Sequence, residues 1–408
     1  MITTNLSSTL MTAPTIPIEM QERILDHLRG DVSTLKSCSF VCKAWTPNIR
    51  SHLFRRFKAL HDSDAFHKCG RYVDQVPHLA EYIREVEIQS GRRPSVLLEE
   101  ESNALCTLLD RTHSLQTVVI STGFSTMRAW RNISSKFKVS LLAALRRSLS
   151  SLTHILLDGF SFAVSDLRLI RGIIRGMRCL EYVGLERIGA EFDEDEISPV
   201  AAFDDELQSG SLRTLSLYFN FSDPGNGPLV AAVIDALHSV RVSHITSLRL
   251  GGIVGLSVFE ALPPSWLSRV TCLGLQLTNL NPALPSSPIA EAFIARVPTF
   301  CAVHTLELSL IIRPSAVPHD ISALESFMTK LLPANQLLSI VTTVSAHGPP
   351  VYRDAMQRHY NFCLTRAKVV KIQWEDGKLS TLEPAFPELF ADGTMQVGKF
   401  RHAKWIPW

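Results

Sequence analysis

Hydrophobic residues recur in one short phrase along most of this 408-residue chain. The phrase is a six-residue motif of the form apolar-x-x-apolar-x-apolar, where x is any residue. This pattern predicts a short strand with a buried face. Among the first eight copies, starting positions are 25 residues apart at the closest, Ile245 to Val270, and 37 at the widest, Leu115 to Leu152. That spacing leaves room for one strand and one helix in each unit. The copies are Ile83/Val86/Ile88, Leu115/Val118/Ile120, Leu152/Ile155/Leu157, Leu180/Val183/Leu185, Leu212/Leu215/Leu217, Ile245/Leu248/Leu250, Val270/Leu273/Leu275, Val303/Leu306/Leu308 and a ninth at Val369/Ile372/Trp374.

Helical patterns lie in the intervals between these strands. They cover residues 97–111, 139–151, 164–177, 227–240 and 287–297. Because strand and helix alternate, each unit can cover the apolar face of the next, as in a solenoid. We therefore predict an α/β fold whose larger part, residues 81–376, is an irregular βα solenoid with a parallel sheet.

The strand phrase resembles that of the leucine-rich repeat, in which short parallel strands line a concave surface. That resemblance implies a protein-binding surface. Leucine-rich repeats commonly place an asparagine three residues past the last apolar position of the phrase, and here only Asn220 does so. The repeat is therefore degenerate, and we expect irregular curvature.

Residues 16–60 follow the helical period instead and predict three short helices. Pro17 suits the first turn of a helix, Gly30 suits a helix end, and either Asp31 or Ser33 can cap the second helix. The apolar positions are Met20, Ile24, Leu25 and Leu28 in the first helix, Leu35, Cys38, Val41, Cys42 and Trp45 in the second, and Ile49, Leu53, Phe54, Phe57 and Leu60 in the third.

Three helices of this length are each marginal in water, and a unit of about 45 residues normally has too small a core to stand alone. Such a unit must be completed by something that it packs against. That partner is either the rest of this chain or another protein.

The order of residues in this helical unit resembles the F-box, the module that docks on the Skp-type adaptor of cullin-RING ubiquitin ligases. The resemblance covers residues 16 to about 60. Ile16 replaces the usual leucine before the proline, and Phe54 stands where tryptophan is common. The matching positions are Ile16-Pro17, Glu19, Ile24, Leu28, Leu35, the stretch Val41-Cys42-Lys43-Ala44-Trp45 and the stretch Leu53-Phe54-Arg55-Arg56.

The resemblance implies a non-enzymatic substrate receptor of an SCF-type ubiquitin ligase. Its helices would bind a Skp-type adaptor and, through it, a cullin, while the repeat domain would bind a target protein of unknown identity. Trp45 would hold the helices together. The adaptor contacts implied by the resemblance are Ile16, Pro17, Ile18, Ile24, Leu28, Leu35, Val41 and Phe54.

Two alternatives remain open at the level of the sequence. In the first, the chain is a repeat scaffold with no connection to a ligase, and the helices merely cap the array. In the second, eight βα units close into a barrel enzyme. The predicted strands carry few convergent polar groups at their ends, apart from Asp158 and Glu186, so a barrel active site is disfavoured.

Composition narrows the class of partner. The chain carries 41 basic and 39 acidic side chains, a net charge of +2, so no strong field attracts nucleic acid or anionic membranes. No run of eighteen apolar residues predicts a membrane span, and residues 1–15 lack a secretory signal pattern. Eight cysteines without a CxxC pair fit a reducing cytoplasm or nucleus.

Candidate chemistry is sparse. The glycines of residues 248–255 lack dinucleotide-loop spacing, the acidic run 191–196 lacks the glycine of a calcium loop, and His61, His67 and Cys69 lack a fourth zinc ligand. Neither HExxH nor GxSxG occurs. We therefore expect no catalytic residue, cofactor or metal.

The remaining segments complete the predicted organisation. Residues 1–15 are expected to be disordered, 61–80 to form a connecting helix, and 377–408 to form a C-terminal cap. Two tryptophans, Trp405 and Trp408, lie beside basic residues in that tail. They are interpreted as a lid on the last repeat or as an anchor for a partner.

Overall fold

The computed structural model describes residues 16–60, 73, 75–89, 102–122, 128–163, 166, 179–191, 212–219, 245–251, 267–278, 302–312, 337–346, 367–374, 395–401 and 404–407. Within these residues the protein is mixed α/β, with short helices followed by an open, mainly parallel sheet. The predicted α/β class is therefore confirmed at that level. No helix among these residues is both long and apolar enough to cross a membrane.

The helices of the described residues form two groups. The first group precedes the sheet, and the second lies between its early strands. The α-helices are α1 (Ile18–His27), α2 (Val32–Cys38), α3 (Thr46–Leu53), α4 (Ser102–Arg111) and α5 (Ser135–Arg147), and short 3-10 turns occur at Lys43–Trp45, Pro77–Tyr82 and Trp130–Asn132.

The main sheet runs in chain order, so each strand lies beside the next one, apart from two short strands that form a side sheet with the end of the strand at 182–191. The last pair, at 395–401 and 404–407, is antiparallel, and the other neighbours in the main sheet are parallel. The strands are β1 (Arg56–Leu60), β2 (Glu85–Gln89), β3 (Thr117–Ser121), β4 (Arg128–Ala129), β5 (His154–Asp158), β6 (Phe160–Ala163), β7 (Tyr182–Glu191), β8 (Thr214–Phe219), β9 (Ser247–Gly251), β10 (Cys272–Thr278), β11 (Thr305–Ile312), β12 (Leu337–Ala346), β13 (Ala367–Trp374), β14 (Met395–Arg401) and β15 (Lys404–Pro407). The two ends of this order, β1 and β15, are not paired among the described strands, so the barrel alternative is wrong.

The repeated phrase coincides with the strands, as predicted. The last two apolar positions of all nine copies lie in a strand, and in the first four copies every apolar side chain is at most 6% exposed. The central residues of the first eight copies lie in register and form one row across the sheet. That row is Val86, Val118, Ile155, Val183, Leu215, Leu248, Leu273 and Leu306.

The ninth copy is offset from its predicted position. Leu306 pairs with Ile340 of β12, and Ile340 pairs with Val370 of β13. The residue of β13 in the shared row is therefore Val370 and not Ile372. A strand at 337–346, absent from the prediction, lies between the eighth and ninth copies.

The apolar face of the sheet packs on the helix layer. Leu141 and Leu145 of α5 line the same small internal gap as Val118 of β3 and Ile155 of β5. Beside them the buried Trp130 packs edge-to-face on Phe160, with ring centroids 5.4 Å apart, and also contacts Phe162. Helix α5 and strands β3 and β5 thus share an apolar core, as predicted for βα units.

The third predicted helix ends earlier than the pattern indicated. It stops at Leu53, and residues 56–60 form strand β1. Phe57 was assigned to a helix face, but it pairs in register with Val86 of β2. The parallel sheet consequently begins before the predicted boundary at residue 81, and strand β14 extends it past the predicted end at residue 376.

Ion pairs attach β1 and the helices before it to β2. Arg56 and Lys58 both form salt bridges with Glu87, and the Lys58–Glu87 distance is 2.9 Å. Glu85 lies 3.2 Å from Arg29, just after α1, and 3.1 Å from Arg55. The helical unit is therefore held to the edge of the sheet by strand pairing and by charge.

The Glu87 pairs predict a pH dependence of stability. Burial would raise the pKa of Glu87, but hydrogen bonds from Lys58 and Arg56 outweigh it and lower the pKa. A carboxylate with a lowered folded-state pKa stabilises the protein above its unfolded pKa of about 4.3, and this contribution disappears as pH falls toward the folded value. Between pH 7 and pH 3, wild type should lose about 1 kcal/mol more unfolding free energy than Glu87→Gln. Urea unfolding at both pH values measures this, and equal losses would contradict it.

Candidate docking surface

The start of α1 follows from Pro17. Pro17 is the residue just before the helix, with a φ of −53° that suits a helix and a ψ of 145° that does not. Its carbonyl accepts hydrogen bonds from the backbone N–H groups of Met20 and Gln21 at 3.0 and 3.1 Å. Glu19 lies in the first turn, where its negative charge complements the helix dipole, and His27 lies in the last turn. The predicted helix start is thus confirmed within one residue.

The cap of α2 is Asp31, one of the two residues that the sequence left open. Its carboxylate accepts hydrogen bonds from the Thr34 backbone N–H at 3.0 Å and from the hydroxyls of Thr34 and Ser33. These bonds, first those from Thr34, hold the pKa of Asp31 far below its usual range. The helix therefore begins at a fixed point, directly after the turn that follows α1.

The three N-terminal helices share a small core of their own. Leu25 of α1, Leu35 of α2 and Ile49 of α3 are fully buried, and the side chains of Leu28, Cys38, Trp45 and Leu53 pack around them. Each helix contributes one central residue, which fits the predicted apolar stripes. Leu35 was predicted to contact an adaptor, but its side chain is 0% exposed and supports the helices from inside.

Other apolar side chains of the same unit face outward. Among the residues that the structure describes, nine large hydrophobic side chains are exposed, and eight of them lie between residues 16 and 54. Phe40 is 89% exposed and Val41 is 74% exposed, although both are apolar. We call these eight residues the exposed apolar set: Ile16, Ile18, Met20, Ile24, Val32, Phe40, Val41 and Phe54.

This concentration is the main feature of the site. Single exposed hydrophobic residues are normal on protein surfaces, whereas large exposed apolar patches are typical of surfaces that bind another molecule. The ninth exposed hydrophobic residue among those that the structure describes is Val139, on α5. The helical unit therefore has an inner core and an outer apolar surface that the described part of the chain does not cover.

Most of the predicted contact residues belong to this surface. Ile16, Pro17, Ile18, Ile24, Val41 and Phe54 are exposed, as an adaptor contact requires. Leu28 is half-buried against the inner core and Leu35 is inaccessible. Helical spacing identifies all of these residues as apolar, but it does not distinguish the covered side of a helix from the open side.

Three members of the exposed apolar set were not among the predicted contacts. Met20 had been predicted only as an apolar position of the first helix, and Val32 and Phe40 had no assigned role. Phe40 lies in the turn after α2, directly before Val41. The sequence did contain a signal for Phe40. It is an aromatic residue beside a predicted contact, at a position where the helical pattern ends.

A group of polar residues lies at the end of strand β5 and at the bulge in the middle of β7. Arg187 holds Asp158 through two hydrogen bonds, Nε to Oδ1 at 2.5 Å and Nη2 to Oδ2 at 2.6 Å, and the Ser121 hydroxyl donates to Asp158 at 2.7 Å. Arg187 has a φ of 48° at a bulge in β7. The carboxylate is thus engaged by groups from two neighbouring strands.

Glu186 lies beside this pair. Burial, and then the nearby Asp158 carboxylate, raise the pKa of Glu186, although Ser216 and Tyr182 donate hydrogen bonds to it at 3.0 and 3.2 Å. Burial, and then Glu186, raise the pKa of Tyr182 as well. These groups bond to one another, so the cluster serves to hold neighbouring strands in place.

Gly159 makes this arrangement possible. Its φ is 81°, and a Cβ atom placed there would lie 2.0 Å from the Thr122 hydroxyl oxygen. Its carbonyl accepts hydrogen bonds from that hydroxyl at 3.0 Å and from the Arg128 backbone N–H at 2.9 Å. A side chain at this position would disturb both bonds.

Gly159→Ala should therefore destabilise the sheet. The left-handed backbone and the overpacking together predict a loss of about 2–4 kcal/mol in unfolding free energy. Urea unfolding measures the loss. Gly30→Ala is the matched control, since a Cβ at Gly30 meets no atom within 4 Å, and its effect should stay within about 0.5 kcal/mol. A Gly159→Ala protein as stable as the control would show that the turn adapts.

Most of the other candidate sites lie outside the described residues. No group of three or more His, Cys, Asp or Glu side chains within the described residues is arranged to hold a metal ion. His61, His67, Cys69 and residues 192–196 of the acidic run lie outside the described residues, as does Trp408. Residues 395–401 and 404–407 form the strands β14 and β15, a hairpin at the end of the sheet.

The fold and this surface define an α/β protein with an open parallel sheet, preceded by three helices that expose apolar side chains. A scan against protein-family models and a search of the curated proteins found no match for the chain. The function is therefore inferred from the sequence pattern and from the geometry of the helical unit.

Proposed function

We propose that this protein is the substrate-recognition subunit of an SCF-type cullin-RING ubiquitin ligase. The exposed apolar set binds a Skp-type adaptor, and the sheet domain, a degenerate leucine-rich-repeat solenoid, binds the target protein. The observation that carries the proposal is the exposure of that set. A cap that merely closed the sheet would turn these side chains inward, because burial of apolar surface is its source of stability.

The order of residues in the helical unit supports the choice of partner. The F-box-like positions Ile16, Pro17, Ile18, Ile24, Val41 and Phe54 are exposed, while Leu25 and Ile49 form the inner core. A unit of this kind can keep its helices together and still offer apolar side chains to another protein. Leu35 is excluded from the proposed contacts because it is inaccessible.

The proposed mechanism is proximity and needs no catalytic residue in this chain. Holding a target near a conjugating enzyme raises the effective concentration of its lysine side chains. The ion pairs of Glu85 with Arg29 and Arg55 join the helical unit to the sheet, so the two binding surfaces are physically coupled. This coupling suits a receptor that presents its target in one orientation.

One observation favours the alternative of a scaffold without a ligase connection. Strand β1 follows α3 almost at once and pairs with β2, so the helices are also a continuous extension of the sheet edge. A capping role and a docking role therefore share the same architecture. They differ in whether the exposed apolar set is covered by a partner.

Binding to a purified Skp-type adaptor separates the two. Isothermal titration of the full chain against the adaptor, alone and with its cullin, should give a one-to-one complex and a negative heat-capacity change, the signature of apolar burial. Absence of binding under conditions where the chain is folded would overturn the ligase proposal and leave the scaffold. Affinity capture with the full chain, followed by mass spectrometry, then identifies the target.

A further inference from the structure

Gln21 connects the start of the chain's helical unit to its centre. Its side-chain nitrogen donates a hydrogen bond to the Ile16 carbonyl at 2.5 Å, and its side-chain oxygen accepts one from the Trp45 indole N–H at 2.5 Å. Trp45 in turn packs on the inner core of the helices. One amide therefore links the segment before α1 to the turn before α3.

The chemistry of the two partners fixes the orientation of this amide. An indole N–H can only donate and a backbone carbonyl can only accept, so the Gln21 oxygen must face Trp45 and its nitrogen must face Ile16. Other polar side chains of similar length cannot do both. A glutamate would keep the bond from Trp45 but would place a carboxylate oxygen against the Ile16 carbonyl.

The segment held by this bond needs an anchor. Ile16 lies outside the helix, before Pro17, and its side chain is 48% exposed. Without the amide, the described contacts leave Ile16 tied to the helical unit only through the chain itself. An apolar residue that is ordered only on binding loses conformational entropy at that moment, which weakens the complex.

We infer that Gln21 is a positioning residue that holds Ile16 in place for partner binding. Gln21 orders the first residue of the exposed apolar set in the free protein, so the adaptor meets a prearranged surface. This inference rests on the proposed function for the identity of the partner. The positioning itself is a property of the free chain and can be tested without the adaptor.

The first measurement is the order of the Ile16 side chain in the full-length protein. Methyl NMR of selectively labelled isoleucine, assigned with Ile16→Ala, reports the order parameter of the Ile16 δ1 methyl group. Gln21→Met, which is similar in length and uncharged, should lower that order parameter, and Gln21→Glu should do the same. Glu22→Gln on the exposed neighbouring position is the control and should leave it unchanged. An unchanged order parameter in Gln21→Met would overturn the inference.

The second measurement is adaptor affinity in a double-mutant cycle. Gln21→Met should weaken binding about five- to ten-fold, the effect expected for one side chain that must be ordered on binding. In an Ile16→Ala background the same change should alter affinity by less than about two-fold, because the residue being positioned is gone. An equal loss in both backgrounds would assign Gln21 a role independent of Ile16. Lack of binding by wild type would instead defeat the proposed function, and the methyl measurement would still decide the positioning.

Discussion

Val41→Asp should abolish adaptor binding without unfolding the protein. Val41 is 74% exposed in the turn after α2, so a carboxylate there remains solvated in the free chain. In the complex the same carboxylate would be buried against apolar surface, which is strongly unfavourable. We expect affinity to fall at least 100-fold, equivalent to about 2.7 kcal/mol. Titration calorimetry measures the affinity, and thermal unfolding should match wild type.

The chain offers a matched control for this substitution. Val139 is also exposed, at 66%, but it lies on α5, outside the helical unit. Val139→Asp introduces the same charge into the same residue type and should leave adaptor affinity unchanged. If both variants bind as wild type does, the exposed apolar set is not the docking surface. If both lose binding equally, the effect of Val41→Asp is not specific to that set.

Leu35→Asp should abolish binding by a different route. Leu35 lies fully buried between Leu25 and Ile49, and an unpaired carboxylate at this position has neither water nor a cation beside it. The helical unit should lose more than about 4 kcal/mol of stability, enough to unfold so small a core. Hydrogen exchange should show loss of protection for the Leu25 amide.

Exchange at the sheet provides the internal comparison. The Val118 amide, in β3, should remain protected if the sheet keeps its own core, and Leu35→Met, a substitution that nearly conserves volume, should cost less than about 1.5 kcal/mol. A Leu35→Asp protein that binds the adaptor normally would show that the inner core of the helices is not required. Together, the two aspartate variants separate the inner side of the helical unit from its outer side.

Most of the sheet could be predicted from the sequence because a strand with one buried face has a regular alternation of apolar and polar residues. The phrase found at Val86 and its equivalents has period two at its end, and the same row of residues is in register from β2 to β11. Strand β12 was not predicted because the polar residue Thr342 occupies the last apolar position of its phrase. Strand β1 was not predicted because Phe54, Phe57 and Leu60 fit the helical period, although Phe54, Phe57 and Ala59 also match the strand phrase.

The candidate site was predictable only in part. Spacing showed that Leu35 and Val41 are apolar residues of one helical unit, yet the first is buried and the second is exposed. Which side of a helix is covered depends on the neighbouring helices, and these meet only in three dimensions. The Gln21 side chain bonds to Ile16 and Trp45, which are 5 and 24 positions away in the sequence, and periodicity does not predict side-chain hydrogen bonds of this kind.

The end of α3 and the start of β1 are separated by just two residues, Phe54 and Arg55. The Arg55 carbonyl accepts hydrogen bonds from the backbone N–H groups of Arg84 and Glu85, at 2.8 and 3.0 Å. A junction this short and this well bonded has no room to act as a hinge. For a receptor built in this way, ubiquitin would reach only those lysines that the bound target happens to turn toward the enzyme, so distance rather than local sequence would choose the modified residue.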